Sequence, residues 1–232
     1  ESGVEAAQLV GLGFTAAARG LEGRRGMAAL VSADVDLDAM VASLGHHWEL
    51  LANTEKPYAC GVVSHPTLDA ARLLRERIDH PGEIADVEVF VNPVVLDVMA
   101  IRSPATGLES KFSVYHCAAV GLLDGRGGPR EFSDERVCSP DVVALRGQVR
   151  VTTDVAMPRD ATRMTVRMRD GHAETVSVDH VEGLDAARLT AKARDLLEPI
   201  LGANASAAVE QLISLELDAP VASAVAAVTP SG

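Results

Sequence analysis

The sequence is short of the features that mark several large protein classes. It has three cysteines, Cys60, Cys117 and Cys138, an odd number with no C-x-x-C spacing, so neither a disulfide framework nor a zinc knuckle is encoded. A reducing cytosol is the simplest setting for such a chain, and a cytoplasmic location is expected. It lacks any apolar run of about 18 residues, and no basic segment leads into an apolar one, so neither a membrane-spanning helix nor a signal peptide is expected. It also lacks a basic face: 33 acidic side chains against 21 lysines and arginines give a formal net charge of -12, spread along the chain. That argues against a nucleic-acid partner, because neutralising phosphates requires clustered cations. A small anion can still be held in a local pocket of Lys, Arg and His inside an acidic protein. Nor does a methionine open the chain. It starts at Glu1 within a helix-like stretch, from which an upstream cut is expected.

What is present suffices for a folded protein. With 232 residues, 47% of them hydrophobic, the chain can bury a core in one large domain or two small ones. As far as about residue 51 the pattern is helical and alanine-rich. Val4, Ala7, Leu9 and Val10 lead to a stop at Gly11 and Gly13, Thr15 is placed to cap a next short helix, and another helix begins near Asp36 with Leu37, Met40, Val41 and Leu44 on one face. Between about residues 54 and 180 strands and helices mix. Val87, Val89 and Val91 alternate as in a half-buried strand. "VRVTTDV", "TRMTVRMRDG" and "HAETVSVDHV" read as antiparallel strands, the last two joined by the hairpin dipeptide Asp170-Gly171. Two helices are expected, over residues 66–78 and about 112–123. After Asp185 two more follow, and then an Ala/Pro-rich tail that is expected to fray. The fold class expected is α+β: a first helical segment over residues 1–53, an inserted α+β unit over 54–183, and a C-terminal helical segment over 184–232.

Chemistry-bearing residues concentrate in a few places. "GLGFTA" matches a dinucleotide fingerprint only formally, since a helix and not a strand precedes it; a helix C-cap is the better reading. His46 and His47 are adjacent, so they point apart and cannot chelate one metal as an i, i+4 pair would. No other cluster has metal-ligand spacing. The densest stretch is "KPYACGVVSHPTLDA", residues 56–70. There Ser64-His65-Pro66 opens a helix whose Leu68, Ala71, Leu74 and Ile78 share a face. His65 thus stands at the positive end of a helix dipole, which disfavours the imidazolium, and the free N–H groups beside it suit a carboxylate. Lys56 lies on the segment leading in and can meet the same anion. A second stretch, "ESKFSVYHCAAVGLLDG", sets Lys111, Ser113, Tyr115 and His116 at another helix start, with Arg102 and Thr106 in the loop before it. Two polar helix starts in one small domain suggest a shared anion pocket. Taken singly, each also reads as ordinary capping, and Cys117 as a small core residue.

Together these stretches resemble the MmgE/PrpD family, which includes 2-methylcitrate dehydratases, cis-aconitate decarboxylase and iminodisuccinate epimerase. The family's lysine, aromatic and following histidine are similar to Lys56, Tyr58 and His65, with Asp69-Ala70 after them. Its K-F-S run and the helix ending L-L-D-G are similar to Lys111-Phe112-Ser113 and to Leu122-Leu123-Asp124-Gly125. "GLGFTAAARGLEGRRGMAAL" resembles the family's stretch after a mid-chain K-P-L/M-H segment. The resemblance implies a helical domain bearing an α+β lid, usually dimeric, with a metal-free and cofactor-free site between the two for small di- or tricarboxylates. It implies catalytic roles for His65, Lys56 and His116, and substrate binding by Lys56, Tyr58, Ser64, Arg102, Lys111, Ser113 and Tyr115. Family members are longer, and their W-H-P-T histidine and K-P-L/M-H lysine have no counterpart here. An N-terminal half, in the same polypeptide or a separate one, is therefore an expected partner, without which the chain is expected to be inactive. The decarboxylase-like members carry a histidine where this chain has Gly61 and a tyrosine where it has His116. The expected activity is thus a hydro-lyase acting on a hydroxy di- or tricarboxylate, with an epimerase, a decarboxylase or a non-catalytic half as alternatives.

Overall fold

The computed structural model describes residues 2–181, 183–216 and 218–230, and the chain divides into two compact units, Glu1–Asn53 and Thr54–Gly232. The first unit holds helices α1 (Ser2–Gly11), α2 (Met27–Val31) and α3 (Leu37–Ala42), then a single 3-10 turn over Glu49–Ala52. Gly13 has a φ of 89°, the left-handed conformation expected of a helix stop. The Asp36 carboxylate caps α3 by accepting from the Ala39 N–H at 2.9 Å. Thr15, in contrast, caps nothing: residues 14–17 are irregular and 18–26 form turns and bends around Gly20, Gly23 and Gly26, and the next helix waits until Met27. Among the described residues of this unit only Gly26 and Ala28 are buried, while Leu12, Phe14 and Trp48 are exposed. Helices of five to ten residues that bury at most one alanine are not stable by propensity alone.

The second unit contains the core. A 3-10 turn over Val62–Ser64 leads into α4 (His65–Arg75), followed by β1 (Ile84–Val91), α5 (Pro93–Val98), α6 (Gly107–Ser110), α7 (Val114–Asp124), α8 (Asp134–Val137) and α9 (Pro140–Gln148). Then come β2 (Val149–Thr153), β3 (Thr162–Met168), β4 (Ala173–Val178), α10 (Ala186–Leu201), α11 (Ala205–Ile213) and α12 (Val221–Val228). Helices and one four-stranded sheet of order β2-β1-β3-β4 make this an α+β fold. The β3–β4 hairpin turns at Gly171, whose φ is 91°, as the Asp-Gly dipeptide predicts. β2 departs from the expectation of antiparallel strands: it runs parallel to β1, pairing Val87 with Val149 and Val91 with Thr153. The reason is the connection, since helices α5 to α9 carry the chain back across the sheet before β2 starts. The C-terminal tail departs as well, folding into α12 where fraying is expected.

The alternation in β1 sorts its side chains. Val87, Val89 and Val91 are buried, while Asp86 and Phe90 face Arg150, Arg167 and Arg163 on the other side. α4, α7 and α9 cover the buried face. Leu68, Ala71 and Leu74 of α4 are fully buried at helical spacing, and burying each of the two leucines contributes about 2 kcal/mol. α4 and α7 run parallel. A side chain on Gly121 would stand 2.5 Å from the Ala71 Cβ, and one on Gly125 would stand 3.6 Å from Arg75 Cγ, so positions advance together along both helices. Gly125, at a φ of 65°, caps α7, and the Arg136 guanidinium bonds Asp124 in its last turn. Because a Cβ at position 121 has nowhere to go, Gly121→Val should destabilise the protein by about 2 kcal/mol or more, read as a lower urea midpoint at an unchanged slope.

Candidate functional site

Parallel packing brings the N-terminal ends of α4 and α7 to one end of the helix layer, and the segments before them touch through their backbones. The Gly61 N–H donates to the Lys111 carbonyl at 3.0 Å. Ser64 is the residue before α4, and its hydroxyl neither caps the helix nor has any other hydrogen-bond partner among the described residues. His65 is the first helical residue, followed by Pro66 in the first turn. The His65 Nε2 and the Lys56 Nζ each lie 3.4 Å from the carbonyl oxygen of Cys60, which places the two nitrogens within about 7 Å of one another. Lys56 and His65, nine positions apart in sequence, are therefore neighbours in space.

They share the wall of a cleft of about 310 Å³ with Arg159, Asp160, Val63 and Pro66. His65 contributes from below the surface, for only 1% of it is exposed. The Tyr58 ring meets it edge-on, with ring centroids 5.5 Å apart. The Tyr58 hydroxyl donates to Asp69 on α4. Burial first, then that carboxylate, pushes the Tyr58 hydroxyl well above its usual range, so it stays a proton donor. Beneath this wall lie two buried thiols. The Cys60 thiol is held below its usual range, first by a hydrogen bond with Cys117 and then by His65 and Lys56, whereas burial pushes Cys117 up.

The second polar helix start is placed differently. Ser113 caps α7, accepting from the His116 N–H at 3.1 Å. Arg102 stacks over the Tyr115 ring at 5.0 Å, and Lys111 is half-buried with its carbonyl engaged by Gly61. His116 is wholly buried, with its Nε2 donating to the Glu131 carbonyl at 2.8 Å and its ring edge-on to Phe132. None of these side chains, nor that of Arg102, lines the Lys56–His65 cleft. The two stretches meet through backbone, and only the first presents side chains to the cleft.

Arg159 was not legible as a site residue. It sits in the β2–β3 loop, outside any helix-start pattern, and that loop is held by the Asn92 side-chain amide donating to the Met157 carbonyl at 2.7 Å. The result is a second cation on the cleft that Lys56 and His65 line, and two cations suit a ligand with two or more carboxylates, although Glu55 and Asp160 line the same cleft and counter part of that charge. Among the described residues no group of three His, Cys, Asp or Glu side chains is placed to hold a metal ion, and no helix is long and apolar enough to cross a membrane.

The family model for the MmgE/PrpD C-terminal domain matches residues 58–218. This chain belongs to the MmgE/PrpD family. No curated protein matches it. The match takes in both helix starts, the whole sheet and helices α10 and α11, while Lys56 lies just before it. The MmgE/PrpD domain therefore includes His65 and Arg159 on the cleft and His116 within the core.

His116 has a measurable consequence. Burial above all, then the nearby Arg146 and Arg136, against the opposing Glu131 carbonyl, lowers it from its ordinary 6.5 to about 4. A second ring proton would sit on Nδ1, which is buried without a partner. The unfolded chain takes up that proton near pH 6.5 and the folded chain resists until about pH 4, so protonation favours unfolding. The stability is complete above pH 6.5 and should fall by on the order of 2 to 3 kcal/mol as pH drops towards 4. Urea midpoints measured across this range should decline in the parent, and His116→Gln should flatten that decline.

Proposed function

We propose that the Lys56–His65 cleft binds a small di- or tricarboxylate and that the protein is a hydro-lyase of the 2-methylcitrate dehydratase kind. The observation that carries this reading is the convergence of Lys56, His65 and Arg159 on one cleft at the start of α4. Membership of a family of dehydratase-like and related enzymes supports it. Lys56 and Arg159 hold carboxylates as charge-assisted partners. A base removes the proton alpha to one carboxylate, and the electron pair of that C–H bond forms the double bond. The C–O bond to the hydroxyl breaks, and an acid protonates the departing oxygen so that water leaves. Charge that develops on the carboxylate during proton removal is stabilised by the Lys56 ammonium and adjacent helix N–H groups. His65 serves in one of the two proton transfers. The complementary group comes from an N-terminal half bearing a further histidine and lysine, in an assembly that this reading takes to be a homodimer.

An epimerase uses the same first step and reprotonates the opposite face, so it is the second reading. Decarboxylation is less well supported. The decarboxylase-like pattern calls for a histidine where this chain has Gly61, and the Met99 sulfur occupies the space that a side chain there would take.

In an assembly containing both halves, Lys56→Ala and His65→Ala should each lower kcat/KM by about 100-fold or more towards the preferred acid. Arg159→Ala should act chiefly by raising KM. A panel of citrate-like hydroxy acids, followed by the ultraviolet absorbance of the new double bond, reads all three. Unchanged turnover in both the Lys56 and His65 variants would sink the catalytic reading.

A further inference from the structure

Lys56 and Pro57 also border a second and larger cleft, of about 710 Å³, enclosed by residues 56–59, residues 126–129 and the first half of α10. Its size is that of a small-molecule site. Its charge is unlike that of the chain. Among the described residues, Lys56, Arg72, Arg126, Arg188 and Lys192 line it against one acidic side chain, Asp195, with Arg72 also paired to Glu76 at 2.9 Å, in a protein whose formal net charge is -12. Asp195 is itself engaged by Arg126. Three of the cations are held by backbone carbonyls: Lys192 donates to that of Lys56, Lys56 to that of Cys60, and Arg188 to that of Gly183. Those neutral acceptors orient the cations without cancelling their charge. Arg188 and Lys192 are also half-buried, where like charges repel more strongly than in open solvent. Gathering them in one concave surface is costly unless an anion arrives to offset the repulsion. Leu184, Leu196 and Pro129 add apolar wall between the charges.

We propose that this cleft is a second binding site, for a polyvalent organic anion whose carboxylate or phosphate groups meet Arg126, Arg188 and Lys192 while its carbon body lies on the apolar wall. Although Lys56 borders both clefts, the site stands apart from the reading of the Lys56–His65 cleft, because Arg126, Arg188 and Lys192 come from α10 and from the segment after α7.

Isothermal titration of the 232-residue chain with inorganic pyrophosphate and, separately, with tricarballylate tests it, and the tighter of the two names the phosphate or the carboxylate source. Arg188→Gln combined with Lys192→Gln should weaken that binding about tenfold or more. Asp195→Asn, which removes the one carboxylate that the described residues place in the wall, should tighten it, and no loss of folding mimics a gain. Arg163→Gln, on the outer face of the sheet over Phe90 and outside both clefts, should leave it within about twofold, since a distant exposed charge contributes little. If the parent binds neither anion, or if the Arg188/Lys192 variant binds both as the parent does, the proposal is overturned. Binding that vanishes in His65→Ala but survives the α10 changes would overturn it too, while leaving the first cleft's role intact.

Discussion

The close parallel contact of α4 and α7 at Gly121 and Ala71 is the constraint on which the rest of the second unit depends. Parallel helices of eleven residues each align their dipoles, so their positive ends lie together, and that arrangement is held only because the two can approach closely and bury Leu68, Leu74 and Leu122. The parallel pairing of β1 with β2 belongs to the same design: a crossover through α7 and α9 lays those helices on the buried face of the sheet and returns the chain in the direction in which β1 ran. One end of the helix layer thereby gathers both helix starts and the backbone junction between Gly61 and Lys111. An anion bound at that end, as proposed for the Lys56–His65 cleft, would offset part of the electrostatic cost of the arrangement.

The two helix starts divide the work. Around α4, Lys56 and His65 meet over the Cys60 carbonyl and open on a cleft, with Tyr58 braced on Asp69 beneath. Around α7, Ser113 caps, His116 ties the core to the Glu131 carbonyl, and Tyr115 carries Arg102 on its face. A polar residue at a helix start can thus serve binding or architecture, and the distinction rests on which side chains reach open space. Family membership points to dehydratase-like or related chemistry, and Lys56 and Arg159 on the cleft are the reason for proposing a carboxylate ligand.

Much of this was legible in the sequence where the determinants are local. Ser64-His65-Pro66, Asp170-Gly171 and Asp124-Gly125 each place a helix start, a hairpin or a helix stop within a residue or two of where the structure has it, because capping and turn geometry are decided by neighbours. The direction of β2 was not legible, since it depends on α8 and α9, whose short amphipathic patterns between residues 126 and 148 give little periodicity. The family resemblance gives His116 a catalytic role, yet its burial follows from α9 and residues 131–132 closing over it, a tertiary effect. Arg159 is visible only once the β2–β3 loop is anchored by Asn92. Arg188, Lys192 and Asp195 did carry a signal: their spacing puts them on one face of α10, and only the partner of that face was missing.

The cleft at the start of α4 is the place proposed to hold a carboxylate. A crystal structure of the chain soaked with tricarballylate tests this most directly. It should show a carboxylate within hydrogen-bonding distance of the Lys56 ammonium and the Arg159 guanidinium, beside the His65 ring. Tricarballylate ordered instead around Lys111, Ser113 and Arg102, with the Lys56–His65 cleft holding none, would contradict it.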